Sequence, residues 1–138
     1  MEQCNLSRAP EECLARCAVD GLYLDTFYQL LFRNHPEFER RFAGVDMDQQ
    51  KKRLSETLPR FLQLPTLPAD APEVAEAIER HRHTHRGEAR FAAYDAWIAT
   101  VCQTLRQHDP LYSDEIEREV RQRLTRAVEI VRGASTAQ

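Results

Sequence analysis

The sequence predicts an all-α fold. Every stretch with hydrophobic periodicity repeats at three and four residues rather than at two, which is the signature of amphipathic helices. Only 4 glycines occur in 138 residues and no alternating β-branched run stands out, so strands have no foothold. Turn signals divide the periodic stretches into about seven helical segments. The chain is long enough to bury a real core, and residues 1–138 contain no repeat and no linker, so they read as one domain.

Ser7 ahead of Ala9-Pro10-Glu11-Glu12 marks the first helix start, because a first turn tolerates proline and favours acids. That helix puts Leu14, Cys17 and Ala18 on one face and ends near Asp20-Gly21. The second runs over about 22–33, with Leu24, Phe27, Tyr28, Leu31 and Phe32 inward. Pro36 disfavours helical geometry at His35, so the chain turns there and continues through a short segment to Phe42. Asp46 is a good N-cap for a helix striped with Met47, Gln50, Leu54, Leu58 and Leu62. Pro59 inside that stripe either kinks the helix or ends it.

Residues 64–70 are the clearest loop, and a shorter helix begins around Ala71-Pro72-Glu73 with Val74, Ala77, Ile78 and His81 on one face. Gly87 precedes a long helix carrying Phe91, Tyr94, Trp97, Ile98, Val101, Cys102 and Leu105, closed by His108-Asp109-Pro110. Ser113-Asp114 caps the last helix, which buries Ile116, Val120, Leu124, Ala127, Val128 and Val131 and stops at Gly133. A disordered tail is expected from about 134 to 138.

Bulk properties exclude several classes. With 19 Lys+Arg against 22 Asp+Glu, a formal charge of -3 argues against a general nucleic-acid binder. No apolar run approaches the ~18 residues of a membrane span, and the polar start MEQCNLSRAPEEC does not read as a signal peptide. No membrane association is expected, and a cytoplasmic location follows. Cys4, Cys13, Cys17 and Cys102 contain no C-x-x-C pair and match no zinc framework. They read as reduced thiols packing as small apolar residues, with a redox-linked bridge to the Cys4 tail as the alternative.

The most informative stretch is 27–54, FYQLLFRNHPEFERRFAGVDMDQQKKRL. Tyr28, Phe42, Gln50 and Leu54 fall at intervals that let all four face one cavity, a pattern suited to a buried flat cofactor. Taken singly, each has a plain reading as core or surface. Together with Leu31-Phe32, Pro36-Glu37-Phe38, Asp46-Met47, Glu79-Arg80-His81 and Tyr94-Asp95-Ala96-Trp97, in that order, the chain resembles a globin over roughly 14–131. The resemblance is to bacterial single-domain haemoglobins and to the haem domain of flavohaemoglobins.

That resemblance implies a globin fold of six to eight helices around a pocket for haem b, iron protoporphyrin IX. It places Tyr28 and Gln50 as distal hydrogen-bond donors to a bound gas, whose partial negative charge they answer. Leu54 would close the pocket, Phe42 would pack on the porphyrin, and Arg53 would reach the haem carboxylates. Tyr94 matches roughly the tyrosine of the flavohaemoglobin proximal network, but the matching glutamate is not evident, since Glu129 comes earlier than expected.

The iron ligand must be chosen among His81, His83 and His85, because His35 and His108 sit at the ends of the wrong elements. Three, four and seven positions before His81 stand Ile78, Ala77 and Val74, all apolar. The same positions before His83 are charged, so periodicity favours His81. Against this, relatives often carry a glycine four residues after the ligand, and Gly87 has that spacing from His83. On an extended segment, His81-x-His83-x-His85 would instead suit Zn²⁺ or Ni²⁺.

The expected function is reversible binding of O₂, and also of NO and CO, at ferrous haem, as in oxygen transport or storage. The alternatives are a haem enzyme (NO dioxygenase or peroxidase-like) or a gas-sensor module. The chain has no room for a reductase domain, so turnover would need an external reductase.

Overall fold

The computed structural model describes residues 8–84 and 91–136, with side chains over 8–80 and 94–131. Among the described residues all regular structure is helical. In chain order these are α1 (Ala9–Cys17), α2 (Leu22–Asn34), α3 (Pro36–Arg41), α4 (Met47–Gln63), a 3-10 turn (Leu64–Thr66), α5 (Pro72–Thr84), α6 (Phe91–His108) and α7 (Asp114–Thr136).

Local chemistry explains most of these bounds. Pro10, Glu11 and Glu12 occupy the first turn of α1, although its N-cap is Arg8, with no side-chain cap bond. Ser7 lies outside the described residues. The buried face of α1 is Pro10, Cys13, Leu14 and Cys17. Ala18 is exposed, contrary to expectation, because the helix ends at Cys17 and Cys13 takes the inward phase. Gly21, at φ 74°, takes the left-handed conformation that turns the chain into α2. Pro36 does more than break α2, since its preset φ starts the short helix α3 at once.

Asp46 caps α4 as expected: its carboxylate accepts from the Asp48 and Gln49 N–H groups at 3.0 and 3.3 Å. The helix then runs through Pro59 without stopping. Ser113 caps α7 by accepting from the Ile116 N–H at 3.2 Å. The expected stop at Gly133 is not observed, and α7 continues to Thr136. A helical glycine costs only about 1 kcal/mol relative to alanine, which an established long helix absorbs.

The helix α7 is the spine of the fold. It packs against α1, α4, α5, α6 and the 3-10 turn, while α2 lies along α6. The main core joins Phe27, Leu58, Leu62, Val101, Leu105, Val120 and Leu124. A smaller one, of Leu64, Val74, Ala127 and Val131, seats α5 on α7. Two cations tie distant elements. Buried Arg123 donates to the Glu11 carboxylate and the Leu62 carbonyl, each at 2.9 Å, linking α7, α1 and α4. Arg16 forks onto Asp109 at 2.6 and 2.9 Å, fixing α1 to the corner after α6.

Candidate functional site

Tyr28 is 6% exposed on the inner face of α2. Its ring meets Phe27 edge-on at 5.0 Å, Phe32 at 5.9 Å and Phe42 at 5.8 Å. Phe32 and Phe42 also touch edge-on at 5.6 Å, closing a triangle of aromatic rings with Tyr28. Phe42 is held at the end of α3 by its own N–H, which bonds the Phe38 and Glu39 carbonyls. The Tyr28 hydroxyl donates to the Gln50 main-chain carbonyl at 3.5 Å, which is long for an O–H···O bond. Burial pushes the phenol up to about 12, with the Gln50 contact opposing slightly. At neutral pH the group is therefore an intact donor.

Gln50 is half-buried in the first turn of α4 and meets Tyr28 through its backbone. Leu54, one turn on, is buried. Phe61 continues that stripe and stacks edge-on against Trp97 of α6 at 5.7 Å. Lys51 pairs with Asp25 at 2.7 Å and so ties this end of α4 to α2. Tyr28 and Leu54 belong to the main core, and Phe42, Phe61, Tyr94 and Trp97 pack against it. Arg53 is exposed.

On α5, Val74 is buried and Ala77 and Ile78 pack with it against Leu64, Ala127 and Val131 of the smaller core, the apolar face foreseen from periodicity. The helix extends to Thr84 and so includes positions 81 and 83. The side chains of His81 and His83 lie outside the described residues, as do His85 and Gly87 altogether. Both α4 and α5 rest on α7, yet among the described residues they make no extensive contact with each other. No group of three or more His, Cys, Asp or Glu able to hold a metal occurs among the described residues.

Phe61, seven positions after Leu54, has a phase readable in the sequence, and it packs with Trp97 against the main core. A separate open cleft of about 470 Å³ lies between α1, α2 and α4, walled by Leu14, Tyr23, Leu24, Pro59 and Leu62. It contains none of the expected site residues.

The helix order, the short α3 at the corner and the seating of both α4 and α5 on a common α7 are those of a globin fold. The chain superposes on a crystal structure from Pseudomonas aeruginosa PAO1, a protein described as structurally highly homologous to a human hemoglobin. The TM-score is 0.77 at 20% sequence identity, covering 91% of this chain and 94% of that one. No protein-family model matches the sequence, and no curated protein does. No helix among the described residues is long and apolar enough to cross a membrane.

Proposed function

We propose that this chain binds haem b and, through it, reversibly binds diatomic gases: O₂ first, with NO and CO as further ligands. The observation that carries this reading is the Tyr28 hydroxyl, a buried phenol donor engaged by a long 3.5 Å contact to a backbone carbonyl. Such a donor has capacity left for a polar partner inside an apolar enclosure. The apolar residues Phe42 and Leu54 beside it suit a flat hydrophobic ring.

Ferrous haem, when bound, supplies an open coordination position for a diatomic ligand. The residues of the chain then have distinct tasks. His81 on α5 is the proposed iron ligand, with His83 the competing choice. Phe42, Leu54 and Tyr94 bound the ring apolarly. Tyr28 donates a hydrogen bond toward the ligand, with the Gln50 side chain as second donor. Arg53, exposed on α4, serves the haem carboxylates at the rim.

The test is optical. Purified protein supplied with haem should take up one equivalent and give an intense Soret band whose position shifts with CO. His81→Ala should abolish or scramble that spectrum while His83→Ala keeps it, and the reverse pattern transfers the ligand role to His83. A protein that stays colourless with stoichiometric haem refutes the reading.

A further inference from the structure

The two halves of α4 are held unequally. In the far half Leu58 and Leu62 are buried, and the Leu62 carbonyl accepts from Arg123 of α7 at 2.9 Å. In the near half no residue from Met47 to Arg53 is buried, and Leu54 is the first that is. Pro59 lies inside the helix between these regions of unequal hold. It has no N–H to give the Ser55 carbonyl, so the helix lacks a stiffening rung there and bends most easily at that turn.

Among the described residues two polar contacts tie the near half to α2. One is the Tyr28 hydroxyl on the Gln50 carbonyl, which at 3.5 Å is too long to hold much. The other is Lys51 Nζ on Asp25 Oδ1 at 2.7 Å. Asp25 stands one turn before Tyr28 on the same side of α2, and Lys51 follows Gln50 directly. The ion pair therefore sits beside the phenol contact. It sits on the solvent side of it, with the Lys51 and Asp25 side chains 29% and 49% exposed. Hydrogen bonding to Asp25 raises the Lys51 ammonium against the smaller opposing effect of burial, so the pair is charged on both sides at neutral pH.

We propose that Lys51 and Asp25 form an ionic latch on the α2–α4 seam. Closed, it holds the near half of α4 against α2 and shuts the seam outside the Tyr28 hydroxyl. Open, it lets the near half swing about the Pro59 turn and a small neutral ligand pass. The latch rests on the gas-binding reading of this pocket and gives it a controlled entrance. A latch changes the barrier to passage and leaves the bound state as it was, so entry and exit quicken by one factor and affinity holds. A donor such as Tyr28 changes the exit of a polar ligand alone. The modest strength of a half-exposed pair sets the factor at about two- to fivefold.

The test is CO kinetics on the haem-loaded protein, with amide hydrogen exchange on the haem-free protein beside it. Lys51→Met should quicken CO association and dissociation alike, by about two- to fivefold, at unchanged affinity. Raising salt from about 0.01 M to about 1 M should do the same to the parent and little to the variant, since the Debye length falls from about 30 Å to about 3 Å. The swapped pair, Asp25→Lys with Lys51→Asp, should return both rates toward the parent values. Without haem, Lys51→Met should quicken exchange over residues 50–54 and leave α7 unchanged. Equal CO rates in parent and Lys51→Met overturn the latch. So does a change in one rate alone, or a salt response that survives in Lys51→Met. A protein that takes up no haem refutes the gas-binding reading instead. The exchange comparison then decides the latch: faster exchange over 50–54 supports it, and unchanged exchange overturns it.

Discussion

Asp109→Asn is the sharpest probe of what locks α1 to the rest of the fold. The side chain is fully buried, and Arg16 binds it through both guanidinium contacts, at 2.6 and 2.9 Å. It also accepts from the Leu111 N–H at 2.9 Å. Arg16 foremost, with smaller help from Cys13 and the Leu111 N–H, lowers the carboxyl from 3.8 to about 2 against the cost of burial. At about 1.4 kcal/mol per pH unit, the depression corresponds to about 2 kcal/mol of stability. Asparagine preserves the size and an acceptor for Leu111 but removes the charge, so a loss of about 2 kcal/mol is expected at neutral pH. A depressed carboxylate contributes fully above its unfolded value and loses that contribution as pH falls through the folded one. The gap between parent and variant should therefore be constant above about pH 4 and close as pH falls to about 2. Urea unfolding across that range measures both features. Equal stability at neutral pH, or a gap that persists undiminished at about pH 2, would refute the reasoning.

Three further outcomes are expected. Phe27→Ala removes a ring at 2% exposure that stacks on Tyr28, and it should cost about 3–5 kcal/mol in denaturant unfolding; a loss under about 1 kcal/mol would contradict the packing. Asp46→Ala deletes the acceptor for two orphan N–H groups of α4 and should cost about 1 kcal/mol, read by thermal melting. On the haem reading, Tyr28→Phe should speed O₂ dissociation by roughly tenfold to a hundredfold, since a donor facing partial charge contributes about 1.5–3 kcal/mol. An unchanged off-rate in stopped flow would place the phenol away from the ligand.

The sequence was legible where the determinants are local. Asp46 before an apolar stripe, Ser113 before another and Pro36 after Arg33-Asn34-His35 each act within one turn, and each appears in the fold. Leu54, Leu58 and Leu62 are buried as their phase requires. The misses have tertiary causes. Helical phase alone admits Ala18 as readily as Cys13, and only the end of α1 against α6 separates them. Gly133 is a weak breaker whose outcome depends on the length of the helix around it, and whether Pro59 kinks α4 or ends it was left open by local pattern alone. The Arg16–Asp109 lock spans 93 residues and had no sequence signal. Tyr28 was readable as inward, but its partner was not. Whether it meets the side chain or the carbonyl of Gln50 depends on how α4 approaches α2, which the Lys51–Asp25 pair helps to set.

That approach bears on how well Tyr28 suits a ligand. Three independent restraints hold the phenol: edge stacking on Phe27, the ring triangle with Phe32 and Phe42, and the Lys51–Asp25 tie between the helices carrying Tyr28 and Gln50. All the anchoring rings sit on helices or at a helix cap, so the oxygen is positioned before any partner arrives. The weak element is the hydrogen bond itself. At 3.5 Å it contributes less than the roughly 1 kcal/mol of an ordinary neutral bond, whereas a partner bearing charge returns about 1.5–3 kcal/mol. Exchanging the Gln50 carbonyl for such a partner is therefore favourable and needs no reorganisation of the rings. On the haem reading, a rigid donor with a poor resting acceptor suits the holding of a small polar ligand.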